Sequence, residues 1–140
     1  MNRAEKPVRI GMLGCGNVGS EVARLLLADT AELSTRAGVT IELKKIAVRT
    51  IKDYPGINPA LFTTDPYSIV NDPEIDLIVE VMGGIEPANE LAHIAIKNRK
   101  SIVTANKALL ASHGAELFTA AYAQGEDIYY EASVAGAIPI

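Results

Sequence analysis

Apolar positions in this chain recur with two periods, and the switches between them lay out the elements. Val8 to Leu13 is a mostly apolar run of strand length. From Val18 the apolar positions Val18, Val22, Leu25 and Leu26 follow the i, i+4, i+7, i+8 spacing of one helical face. Ala28 to Thr40 is polar and mixed, with Gly38 as a stop signal, and Ile41 to Val48 alternates before ending in Ile-Ala-Val, as a second strand does. Between Thr50 and Asp65 two prolines and a glycine predict loop and turn in place of a regular crossover helix.

Asp65-Pro66 has the form of an N-cap followed by proline in the first turn, and opens a short helix through Val70, with Asp72-Pro73 as the next turn. Ile75 to Met82 is apolar and β-branched and stops at Gly83-Gly84, which suits a central parallel strand covered on both faces. Pro87 starts a helix whose Ala88, Leu91, Ala92, Ala95 and Ile96 keep helical spacing up to Asn98. Strand Ser101 to Thr104, a helix from Lys107 to about Gln124, and a short strand from Asp127 to Glu131 complete the series. This β-α-β-(loop, short helix)-β-α-β-α-β order predicts an α/β fold, a doubly wound parallel sheet of the Rossmann kind with about five strands. The expected sheet order is 3-2-1-4-5, which sets Ile75 to Met82 outside Ile41 to Val48.

Composition narrows the function classes. At 140 residues the chain is one domain, large enough to bury about two thirds of its unfolded surface. The apolar runs are too short to cross a bilayer, and Met1 to Pro7 has no apolar signal core, so a cytoplasmic location and no membrane partner are expected. A net charge of −4 with dispersed basic residues forms no phosphate-binding stripe, which argues against nucleic acid. Cys15 is the only cysteine, so there is no internal disulfide and no multi-cysteine metal site; it reads as a small filler beside a strand end. His93 and His113 have no ligand-spaced partners and read as ordinary helix residues.

The candidate chemistry gathers where the predicted strands end. Gly14, Gly16 and Gly19 form G-x-G-x-x-G between a strand and an amphipathic helix, the setting in which that pattern binds a dinucleotide. Gly14 makes the tight turn, Gly16 admits the pyrophosphate, Gly19 lets helix and strand approach, and the pyrophosphate sits on the helix start at Asn17 and Val18. The acidic residue that usually holds the adenosine ribose is missing; Arg49 stands at the end of the second strand and would welcome the 2′-phosphate of NADP, with Lys52 as a further cation. Asn106 fits an N-cap, and Lys107 in the first helical turn opposes the macrodipole, which favours a ligand-facing role. Glu131 at the last strand end offers oxygen to a cation or simply forms a turn. No Ser/His/Asp triad or His/Cys metal cluster can be assembled.

Gly14-Cys-Gly-Asn-Val-Gly19, Val79-Glu-Val-Met-Gly-Gly84, Val103-Thr-Ala-Asn-Lys-Ala-Leu-Leu110 and Tyr130-Glu-Ala-Ser-Val-Ala-Gly-Ala-Ile-Pro139 together resemble the amino-terminal NAD(P)-binding domain of homoserine dehydrogenase, over nearly the whole chain. The resemblance implies an oxidoreductase of threonine and methionine biosynthesis, interconverting L-aspartate 4-semialdehyde and L-homoserine with NADH or NADPH. It implies that Gly16, Asn17 and Val18 contact the pyrophosphate, Arg49 the 2′-phosphate and Gly83 the nicotinamide side, with Lys107 near nicotinamide and substrate. It also implies a structural sodium ion at Glu131, Val134, Gly136 and Ile138, and a homo-oligomeric full-length protein. Residues 1–131 are then the cofactor domain and 132–140 the start of a connection to a substrate domain that carries the catalytic groups. The chain alone is expected to bind cofactor without turnover. Rival readings are another semialdehyde enzyme such as aspartate-semialdehyde dehydrogenase, for which Cys15 lies in the wrong motif, and a non-catalytic nucleotide-sensing module.

Overall fold

The computed structural model describes residues 7–130 of the chain. In chain order the elements are β1 (Val8–Leu13), α1 (Asn17–Ala28), α2 (Thr30–Ala37), β2 (Ile41–Ala47), a 3₁₀ turn (Pro59–Leu61), β3 (Phe62–Thr63), α3 (Pro66–Val70), β4 (Leu77–Glu80), α4 (Ala88–Lys97), β5 (Ser101–Thr104), α5 (Lys107–Gln124) and β6 (Ile128–Tyr130). All six strands are parallel, in the order β3-β2-β1-β4-β5-β6.

Two local signals behave as the sequence predicts. Asp65 caps α3 by accepting the Tyr67 main-chain N–H at 3.1 Å, with Pro66 in the first turn. Gly38 closes α2 in the left-handed conformation, φ +76°, where a residue with a Cβ is strained.

Three expectations are corrected. The polar stretch after Ala28 contains a helix, α2, which buries Leu33 alone and therefore shows no apolar stripe to reveal it; Glu32 near its start and Arg36 near its end form an i,i+4 pair at 3.2 Å that suits the macrodipole. Among the described residues the sheet has six strands, because Phe62–Thr63 pairs with Ile46 and Ala47. That two-residue strand is too short to alternate, and it takes the outer position expected of Ile75 to Met82. The strand inside that stretch, β4, pairs with β1 instead, so the 3-2-1-4-5 pattern holds with Phe62–Thr63, and not Ile75 to Met82, beside β2.

Helices cover both faces of the sheet, giving two cores. On one face Val22, Ala23, Leu26 and Leu33 pack on Met12, Leu43, Ile46 and Val79, extended by Ile57 and Phe62. On the other, Ile69, Val70, Leu91, Ala95, Ile96, Leu109 and Leu117 pack on Leu13, Ile78 and Ile102. Gly11 in β1 is required by this packing: a Cβ there would meet the Ile69 side chain at 2.4 Å.

Candidate functional site

The register aligns the carboxyl ends of the strands in one row: Leu13 sits opposite Ala47 and Glu80, Glu80 opposite Thr104, and Thr104 opposite Tyr130. The chain leaves β1 toward β2 on one side and returns to β4 on the other, so β1 is the switch point beside which open α/β sheets bind ligands.

The glycines of the β1-α1 turn meet three different environments. Gly14 has φ +100°, and a Cβ would lie 2.9 Å from the Val81 carbonyl oxygen; its N–H donates to Ala47 O at 2.8 Å. It is wedged between the ends of β2 and β4. A Cβ on Gly19 would come within 3.0 Å of Gly14 O and 3.1 Å of the Val81 side chain, so the helix lies directly on the turn. A Cβ on Gly16 would meet no atom of the described residues within 4 Å. Gly16 is the N-cap of α1, no side chain caps that end, and the first turn holds no acidic residue. The amides of the first turn therefore lack a side-chain acceptor, the helix end is positive, and Val18 is 48% exposed beside it. That arrangement fits an anionic diphosphate.

Cys15, next to Gly16, is buried in the core of that face. Burial pushes its thiol pKa up, with Arg24 acting in the opposite direction. It is a packed thiol and not a reactive one. Arg49 follows the end of β2 and is exposed, as is Lys52. Neither forms an ion pair among the described residues. Lys52 instead lies 5.9 Å from the centroid of the Tyr54 ring, which stacks on Phe62 at 4.7 Å. The Tyr54 loop is tied to α1 by Arg24, whose Nε donates to Pro55 O at 2.9 Å. Arg49 and Lys52 thus belong to the β2 side of the switch point.

On the β4 side, Gly83 and Gly84 are both left-handed, φ +77° and +75°, and exposed. Asn106 caps α5 by accepting the Leu109 N–H at 3.0 Å, as its sequence position predicts, and its Nδ2 donates to Gly84 O at 2.6 Å. Lys107 follows directly and is exposed, with no ion pair among the described residues. Sequence reasoning missed Glu80, a 1% exposed carboxylate at the end of β4 that holds Thr104 and Met82. The available signal was an acid within a strand otherwise covered on both faces. The sodium positions Glu131, Val134, Gly136 and Ile138 lie outside the described residues; among those described, no cluster of His, Cys, Asp or Glu could hold a metal ion. None of the described helices is long and apolar enough to cross a membrane.

Comparison with known proteins agrees with this geometry. The family model for the homoserine dehydrogenase NAD-binding domain matches residues 14–131. Homoserine dehydrogenase of Corynebacterium glutamicum is 48% identical over 95% of this chain, which spans 30% of that protein's length. A homoserine dehydrogenase structure from Thiobacillus denitrificans superposes with TM-score 0.86 at 43% identity, covering 93% of this chain and 30% of the other. A hyperthermophilic archaeal homoserine dehydrogenase in complex with NADPH shares the fold, with TM-score 0.72 at 21% identity over 89% of this chain and 44% of its own. The glycine turn at the switch point, the aligned strand ends and these matches assign the chain to the family of homoserine dehydrogenase NAD-binding domains.

Proposed function

We propose that the chain supplies the cofactor site of a homoserine dehydrogenase, with the rest of that enzyme's length supplying the substrate site. The observation that carries this reading is the open start of α1: an uncapped, acid-free helix end beside a glycine on which an added Cβ would meet no described atom within 4 Å, at the point where the strand order reverses. Gly14, Gly16, Asn17, Val18 and Gly19 shape the diphosphate seat. Arg49, assisted by Lys52, receives the 2′-phosphate, so NADP(H) is preferred over NAD(H). Gly83 and Lys107 lie toward the nicotinamide, which when bound donates or accepts the hydride.

In this reading the full enzyme interconverts L-aspartate 4-semialdehyde and L-homoserine. Lys107 sits where a cation can face the substrate oxygen, while the aldehyde has to be held and its developing alkoxide protonated by groups that the described residues do not include. The isolated chain therefore binds cofactor without turning over; homoserine oxidation by the purified chain would contradict this division of labour. Titration of NADPH and NADH into wild type and Arg49→Ala tests cofactor choice. Loss of a charge-assisted phosphate contact is expected to weaken NADPH roughly tenfold with NADH unchanged. Equal weakening of both would remove Arg49 from the 2′-phosphate site.

A further inference from the structure

Glu80 is an anomaly in the core. It is 1% exposed, β4 around it is otherwise apolar, and no cation pairs with it among the described residues. A carboxylate removed from water is costly unless its oxygens are satisfied. Here three donors satisfy them. Thr104 Oγ1 donates to Oε1 at 2.5 Å, and Oε2 accepts the Met82 main-chain N–H at 2.9 Å and Asn106 Nδ2 at 3.4 Å. Each donor lies at the carboxyl edge, on the loop after β4 or the β5-α5 junction.

The second layer of bonds shows what Glu80 organises. Thr104 Oγ1 accepts the Asn106 main-chain N–H at 3.0 Å, and Asn106 in turn holds Gly84 O and the Leu109 N–H. The Gly83–Gly84 loop is thus gripped at both ends, at Met82 N by Glu80 and at Gly84 O by Asn106. The start of α5, with Lys107, is held by the same two side chains. Two adjacent left-handed glycines have wide conformational freedom on their own, and these hydrogen bonds are what restrains them.

We infer that Glu80 is a positioning residue that sets the nicotinamide half of the cofactor site, acting through Thr104 and Asn106 on the Gly83–Gly84 loop and Lys107. The inference rests on the proposed cofactor reading. It separates the site into two parts: the diphosphate seat on α1, whose glycines pack against Val81 and Met82 but share no hydrogen bond with the Glu80, Thr104 or Asn106 side chains among the described residues, and the nicotinamide side, which those side chains hold.

The test compares two probes on the purified chain, NADPH and 2′-phospho-ADP-ribose, which is the same molecule without its nicotinamide. For Glu80→Ala, NADPH affinity is expected to fall at least roughly fivefold while 2′-phospho-ADP-ribose stays within about twofold. Glu80→Gln, which can still accept from Met82 and meet the Thr104 hydroxyl, is expected to recover most of the NADPH affinity. Thr104→Val keeps the side-chain shape and carries the same comparison if Glu80→Ala does not fold. Loss of both probes together, or unchanged NADPH binding in a folded variant, overturns the positioning role. Failure of the wild-type chain to bind either probe would instead overturn the cofactor reading itself, and this inference with it.

Discussion

At the amino edge of the sheet Lys100 is buried and donates to the carbonyls of Asp72 and Ile75 at 2.6 and 2.7 Å, Lys44 holds Asp72 and Glu74, and Arg9 holds Glu42. At the carboxyl edge Arg49, Lys52 and Lys107 form no ion pair among the described residues, and α1 starts without a side-chain cap. The exposed pair Arg9–Glu42 adds little to stability, so ion-pair strength is not what separates the two edges. The difference is one of availability. Lys100, Lys44 and Arg9 at the amino edge are occupied by the protein's own oxygens, whereas Arg49, Lys52 and Lys107 at the carboxyl edge are left for an anion brought from outside.

The strongest way to break this contrast is at Lys100. Lys100→Met keeps the bulk but strands two buried carbonyls, so a loss of about 2–3 kcal/mol is expected in urea unfolding, with no specific change in NADPH binding. Burial holds the Lys100 pKa below its ordinary 10.5, against the opposing pull of Asp72 and Asp76. In the window below that value the unfolded chain binds more protons than the folded one, so this residue's contribution to stability grows as pH rises toward it. The gap between wild type and Lys100→Met is therefore expected to widen as pH rises toward about 10.5. A gap that narrows would mean that the ammonium is not desolvated.

Gly16→Ala probes the other edge. Its φ of −78° admits alanine and the added Cβ would meet no described atom within 4 Å, so stability is expected within about 0.5 kcal/mol of wild type. NADPH affinity, in contrast, is expected to fall roughly tenfold, as the methyl occupies the diphosphate approach. Unchanged binding would show that the open glycine is only a turn. Asn106→Ala is expected to cost about 1 kcal/mol for the lost N-cap, less than Lys100→Met, read by thermal unfolding. Smallest is Lys107→Met, where removing a cation from a helix start is expected to stabilise the chain by a few tenths of a kcal/mol. A destabilised Lys107→Met would mean that the lysine serves the fold and not a ligand.

Most strands and helices were legible because their signals are local. The alternation of Ile41 to Val48, the Asp65-Pro66 start and the Asn106 cap each need only a few neighbouring residues to be recognised. What stayed hidden was short or weakly amphipathic: α2 buries one leucine, and β3 has two residues whose pairing with β2 gives no sequence period. Missing β3 is what displaced Ile75 to Met82 in the expected sheet order. At the site, the glycines, Arg49 and Lys107 were readable as residue types at strand ends. Glu80 was not, because a lone acid in an apolar strand carries no spacing that names its partners.

Sequence by itself determined the alternating β/α plan, the dinucleotide turn and the family motifs, since periodicity, glycine placement and capping are short-range properties of the chain. Tertiary structure alone decided which strand lies beside β1, and that the strand ends align in one row. It also decided that Glu80, Thr104 and Asn106, up to 26 positions apart, meet as one buried network. Those are contacts across strands, set by the pairing register and by how two cores close on a single sheet, and no local pattern encodes them.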